Sequence, residues 1–186
     1  MCAPPLFLGI DCATPTLAIS LWSPKTGVLA SSHDLVGREH ARKILPALAD
    51  LFSRAHKEPA MLHGIGVGVG PGSYTGLRIA IATAKGLARG LDLPITGCDT
   101  LAAIAFGYLE DGEMGIATLD ARRGNVYAGI YQKIGDEVTT VEATIKSDRR
   151  TLQNRYPMLS LIEGTPYAEH IARQAGSRGS LSPRYL

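Results

Sequence analysis

Cysteine is scarce in this chain of 186 residues: Cys2, Cys12 and Cys98 are odd in number and form no CxxC. That usage suits reduced thiols in a cytosolic compartment rather than a disulfide framework. Histidine pairing is missing too. Among His33, His40, His56, His63 and His170 no two stand three or four residues apart, so no helical metal clamp is expected. Positive charge is thin, with a net of +2 and basic neighbours only in isolated pairs such as Arg122-Arg123 and Arg149-Arg150. A dedicated nucleic-acid surface is therefore not indicated, and RNA contact is at most shared with a partner. The opening MCAPPLFLGID has no basic stretch and its apolar run stops at Asp11, which predicts neither signal peptide nor membrane span.

What is present begins with 45% hydrophobic residues, enough for one compact domain or two small lobes. The run LHGIGVGVG alternates, with Ile65, Val67 and Val69 on one side and Gly64, Gly66, Gly68 and Gly70 on the other. This is the period of a strand whose second face carries no side chains. Such a face predicts close approach by another backbone, a helix or a ligand. Gly70-Pro71-Gly72 must then turn sharply, and Ser73 or Thr75 can cap the helix that follows. The glycine spacing is neither GxGxxG nor GxxxxGK[ST]. In the helix, Leu77, Ile79, Ala80, Ile81, Ala82, Ala84, Leu87, Ala88 and Leu91 leave only a narrow polar stripe of Arg78, Lys85 and Arg89. A sheet covers one face of such a helix. The surplus apolar surface, with small residues permitting close approach, is expected to meet a partner chain.

The same order of elements is legible twice. LFLGI, LAISLW and VLASSHDL read as three strands in a meander, a helix follows from about residue 38 to 56 with Pro46 inside it, and the glycine-faced strand and apolar helix complete βββαβα. After a linking helix near 100–109 come the strands MGIATLD, VYAGIYQK and EVTTVEAT, a helix near 147–155, a strand in MLSLI and a closing helix near 167–175. The fold class expected is α/β, two ribonuclease-H-like lobes of the actin-like ATPase superfold. Residues 1–98 form the first lobe, and 99–186 a shortened second lobe with the linking helix.

Taken together, LGIDCATPTLAISLW, REHARKILPAL, GVGPGSYTGLRIAIATAKGLA, TLDARRGNVYAGIY and the terminal SPRYL resemble the bacterial TsaB (YeaZ) family nearly from end to end. The resemblance implies a non-catalytic partner of TsaD in making threonylcarbamoyladenosine at position 37 of tRNA. It also implies a partner interface built around the helix after Gly76, drawing on Ser73, Tyr74, Thr75, Gly76, Leu77, Arg78, Ile81, Ala84, Lys85 and Ala88. A homodimer through the same face is expected when the chain is alone, and the assembly would further hold a TsaE-type ATPase with indirect tRNA contact. The family's usual phenylalanine in the loop is here Tyr74, whose hydroxyl needs a partner if buried.

Chemistry by the chain itself is not expected. The catalytic relatives hold a metal with histidines four apart on a helix, whereas here His40 is followed one turn on by Ile44, leaving His40 as a helix-start or surface residue. ATP-binding members of the superfold use an aspartate, a glycine and a hydroxyl in the first hairpin. This chain has Asp11, Cys12, Ala13 and Thr14, and the methyl of Ala13 stands where close approach to phosphate is wanted. Asp11 and Thr14 are thus only weak nucleotide-binding candidates, with Arg122, Arg123 and Gly124 in the second hairpin reading as a solvated turn. No cofactor and no metal are expected. Ser73 lies in GPGSYTG rather than GxSxG and reads as a helix cap, not a nucleophile. The competing reading is a self-sufficient ATP-dependent transferase or metallopeptidase of the same superfold.

Overall fold

The computed structural model describes residues 4–175; Cys2 and the terminal SPRYL lie outside the described residues. A first sheet gathers β1 (Leu6–Asp11), β2 (Thr16–Ser23), β3 (Gly27–Leu35), β4 (Leu62–Gly68) and β5 (Ile95–Cys98) in the order β3-β2-β1-β4-β5. β1, β2 and β3 form an antiparallel meander, while β4 and β5 add in parallel. Two helices cross this sheet, α1 (His40–Arg54) and α2 (Tyr74–Leu91). α1 starts two residues later than its apolar pattern suggests and runs through Pro46, which is exposed. Ile44, Leu48, Leu51 and Phe52 of α1 share one core with Leu8, Ile10, Ile65, Val67, Ala80, Ile81, Ala84 and Ala88.

A linking helix α3 (Thr100–Tyr108) leads to the second sheet, built from β6 (Met114–Asp120), β7 (Asn125–Ile134), β8 (Glu137–Asp148) and β9 (Ser160–Glu163) in the order β8-β7-β6-β9. Between β8 and β9 lies α4 (Arg149–Arg155), and α5 (Ala168–Arg173) closes the chain. The duplicated βββαβα order is present, and both halves are ribonuclease-H-like. β5 is an addition to the expected first half. At four residues, ITGC is too short for periodicity to mark it, and its parallel pairing with β4 supplies what the local sequence does not.

The two helices that flank the second sheet in sequence part company. α3 is buried from Thr100 to Phe106 and packs on the second sheet, with Leu101, Ile104 and Ala105 beside Ala117, Tyr131 and Ile162. α5, from the far end of the chain, lies instead against the glycine face of the first sheet. A Cβ at Gly9 would collide with the Ala168 carbonyl, and one at Gly66 with the Ile171 carbonyl. The bare face of β4 therefore admits the backbone of a helix, one of the three occupants its glycines predict.

Side chains also bind the halves together. The Arg173 guanidinium on α5 stacks 4.9 Å above Trp22 of β2 and 5.7 Å from Phe106 of α3, and it pairs with Glu169 at 2.8 Å and Asp136 at 3.2 Å. His170, one turn inside, is buried, and desolvation beside Arg173 pushes its pKa down to about 4, so it is neutral at pH 7.

Candidate functional site

The restrictive loop places α2 by stitching three segments together. Gly70 has φ 99° and Gly72 φ 155°, backbone that other residues adopt only under strain, and the Gly70–Pro71 peptide is cis. Ser73 N–H donates to the Ala13 carbonyl at 2.8 Å, Val69 N–H to Cys98 at 2.9 Å, and Thr100 N–H to Gly70 at 3.0 Å. A Cβ at Gly72 would strike Ala13, and one at Gly76 would strike the Cys12 carbonyl. The loop is thus pressed on the β1–β2 hairpin on one side and on the start of α3 on the other. Ser73 Oγ accepts from Gly76 N–H at 3.3 Å, the N-cap role expected of it.

The sheet sets the phase of α2. Gly76, Leu77, Ala80, Ile81, Ala84 and Ala88 face inward and are buried in the chain's own core. This corrects the expectation for five of the ten interface candidates. Ile81, Ala84 and Ala88 share the core with residues of β1, β4 and α1, Gly76 lies against the Cys12 carbonyl, Leu77 is fully buried, and Ala84, at 0% exposure, does not point outward. The remaining five, Ser73, Tyr74, Thr75, Arg78 and Lys85, are exposed. They continue into Ala82, Gly86, Arg89 and Gly90, with Ile79 and Thr83 half-buried at the margin. The outer surface of α2 is therefore a stripe of small residues among cations rather than an apolar surplus. Tyr74 stays 55% exposed with the Arg78 guanidinium 4.8 Å over its ring, so its hydroxyl carries no burial penalty. On the neighbouring α1, Leu45 is exposed at 61%.

Asp11 is fully buried at the end of β1. One carboxylate oxygen accepts from Ala13 N–H at 2.6 Å and the other from Thr100 Oγ1 at 2.8 Å. Desolvation outweighs both bonds and raises its pKa from 3.8 to about 6. Burial likewise pushes the Cys98 thiol up to about 12 and the Cys12 thiol up as well, so both are protonated at pH 7. Thr14 is buried, its Oγ1 taken up in a turn with Thr16.

A cleft of about 630 Å³ opens between the two halves. The hairpin residues Ala13 to Thr16 form one wall, Gly72 to Tyr74 another, and Asp120 to Arg122 with Thr165 the opposite side. Thr14 borders the cleft and Asp11 does not. Arg122 and Arg123 both hold positive φ, 65° and 54°, in the β6–β7 turn. Leu35, Leu119, Tyr127, Gly164 and Thr165 also line this space and were missed from the sequence. They lie far apart along the chain, and only the packing of the two sheets joins them.

His40 opens α1, as expected, but is buried rather than at the surface, and Ile44 one turn on sits in the core. Among the described residues no cluster of three His, Cys, Asp or Glu side chains stands together. No helix there is long and apolar enough to cross a membrane.

Known proteins resemble this arrangement. The family described as TsaD, tRNA N6-adenosine threonylcarbamoyltransferase, matches residues 25–182. The proteins called tRNA threonylcarbamoyladenosine biosynthesis protein TsaB from Escherichia coli (strain K12) and Bacillus subtilis (strain 168) are each 38% identical, over 68% and 67% of this chain and 54% of either relative. The chain spans about half the length of the curated relatives it matches. The solved structure of YeaZ from Pseudomonas aeruginosa shares the fold, with a TM-score of 0.79 at 24% identity over 98% of this chain and 100% of that one.

Proposed function

Because the chain belongs to the TsaB (YeaZ) family, within the wider TsaD-type group, we propose that it is a non-catalytic subunit in threonylcarbamoyladenosine synthesis on tRNA, docking a TsaD-type catalytic subunit. The observation that carries this reading is the division of α2. One side is sealed by its own sheet, and the other presents Thr75, Ala82, Gly86 and Gly90 to solvent. Small residues let a second helix come close, and Leu45, exposed on α1, adds apolar area to the surface of the first half. The loop that fixes α2 is tied to both the first hairpin and α3, so docking there reaches the junction of the two halves.

Support for the non-catalytic role comes from residues that fill the places chemistry would need. Ile44, in the core, stands one turn beyond His40, and Ala13 packs on Gly72 in the first hairpin. The halves divide at Cys98, with 1–98 as the first lobe and 99–186 as the second. The chain acts in the cytoplasm, where a TsaE-type ATPase and tRNA join the assembly. A second reading, an ATP-dependent enzyme, is favoured by the interlobe cleft. Reconstitution separates the two: combine this chain with the catalytic subunit, the ATPase and the carbamoyl-adenylate supplier, and measure modified tRNA. Product that needs every component supports the proposal. Product from this chain with ATP and substrates alone refutes it.

A further inference from the structure

Two segments at one end of the second sheet form a basic rim. The register of β7 on β8 sets Asn125 opposite Asp148 and Tyr127 opposite Lys146, so the β6–β7 turn lies beside the junction of β8 and α4. Residues 120–125 and 146–151 hold Arg122, Arg123, Lys146, Arg149 and Arg150 against Asp120 and Asp148, five positive charges less two negative, or +3. The whole chain carries +2, so the remainder is net −1. All five cations are exposed. Arg149 pairs with Glu163, whereas Arg122, Arg123, Lys146 and Arg150 have no acidic partner among the described residues. The two carboxylates serve the backbone instead: Asp120 accepts from Arg122 N–H at 2.9 Å, and Asp148 caps α4 by accepting from Thr151 N–H at 2.9 Å. Nothing in the fold asks for arginine in the turn. Arg122 and Arg123 hold φ of 65° and 54°, left-handed backbone that Asn or Gly adopts at less cost.

Resting on the docking role proposed above, we infer that this rim holds the sugar–phosphate backbone of the tRNA on which the assembly acts. Neither segment contains an aromatic or a large apolar residue. The rim therefore has no ring on which a base could stack and no apolar centre of the kind a protein interface buries. What it offers is long cationic side chains from two adjacent segments, which is the chemistry of phosphate contact. Such contacts fix position and orientation without reading sequence. Each phosphate neutralised adds about 0.7–0.9 to the slope of log affinity against log salt, so four cations supply a slope of about 3. Between 50 and 200 mM NaCl that slope is a loss of about 60-fold. Four contacts are too few to hold RNA alone at physiological salt, so the rim adds to whatever the catalytic subunit provides.

The test measures binding of labelled tRNA, by fluorescence anisotropy from 50 to 200 mM NaCl, to the complex of the intact chain with a TsaD-type catalytic subunit. Arg122→Asn/Arg123→Asn and Lys146→Gln/Arg150→Gln should each lower the salt slope by about 1.5 and weaken binding about tenfold at 100 mM NaCl, with assembly and thermal stability retained. An unrelated tRNA should suffer the same loss. Lys25→Gln, which removes an exposed cation in the β2–β3 turn, should change nothing. A complex that assembles and binds tRNA with the same slope in both double variants overturns this inference and leaves the docking role standing. Loss of the ATPase subunit from the double variants, with tRNA binding intact, makes the rim a protein contact and also overturns it. No complex between the wild-type chain and the catalytic subunit overturns the docking role itself, and the inference with it.

Discussion

Replacing Asp11 by Asn should stabilise the protein at neutral pH, although it removes a group with two well-formed hydrogen bonds. The carboxyl pKa rises from 3.8 to about 6 because burial costs the charged form more than Ala13 N–H and Thr100 Oγ1 return. At about 1.4 kcal/mol per pH unit, holding Asp11 ionised at pH 7 costs up to about 3 kcal/mol. For a folded pKa above the unfolded one, the stabilisation is complete below 3.8 and is lost as pH rises through about 6. Asn keeps the size, its Oδ1 can accept from Ala13, and its Nδ2 can donate to Thr100 Oγ1. The variant should therefore gain about 1–3 kcal/mol at pH 7. Its advantage over wild type should widen by about 1 kcal/mol between pH 5 and pH 7. Urea unfolding followed by circular dichroism at half-unit pH intervals measures this difference directly. A variant less stable than wild type at pH 7, or a difference that does not change with pH, would show that the hydrogen bonds outweigh desolvation.

His170 works in the opposite sense. Its pKa falls to about 4, so its stabilising share is full above the usual 6.5 and is lost as pH drops toward 4, by up to about 3 kcal/mol. His170→Leu should remove that acid sensitivity in the same unfolding series, and a variant as acid-sensitive as wild type would place the cause elsewhere. Ala84→Glu tests the phase of α2: a carboxylate forced into the core beside Val67 and Ile44 should cost about 3–5 kcal/mol or abolish folding. A stable Ala84→Glu protein would mean that this side of the helix faces outward after all.

Much of the fold was legible because its signals are local. The alternation in β4 announced a bare face, and α5 fills it, yet the sequence could not say that the visitor comes from the last helix of the second half. Nothing at Ala168 to Arg173 marks which sheet it will cover, and only the collisions at Gly9 and Gly66 identify it. The site was half legible. α2 carries alanine or glycine on both sides, Ala80, Ala84 and Ala88 inward and Ala82, Gly86 and Gly90 outward, and residues of the inward face were read as a surface for a partner. The better guide was already present in Arg78, Lys85 and Arg89: long charged side chains mark the solvent side, which makes Leu77, Ala80, Ala84 and Ala88 the sheet side. The cleft needed three dimensions, since Thr14, Ser73, Arg122 and Thr165 come from four separate segments.

The central claim is that the outward stripe of α2 is a docking surface, and Ala82→Trp tests it most directly. Ala82 is exposed, so an indole there leaves the fold and its thermal stability unchanged while it blocks close helix approach. Calorimetric titration with a TsaD-type catalytic subunit should show wild-type binding reduced at least about 100-fold in the variant, a loss of roughly 2.7 kcal/mol. Undiminished binding by a well-folded Ala82→Trp protein would contradict the account.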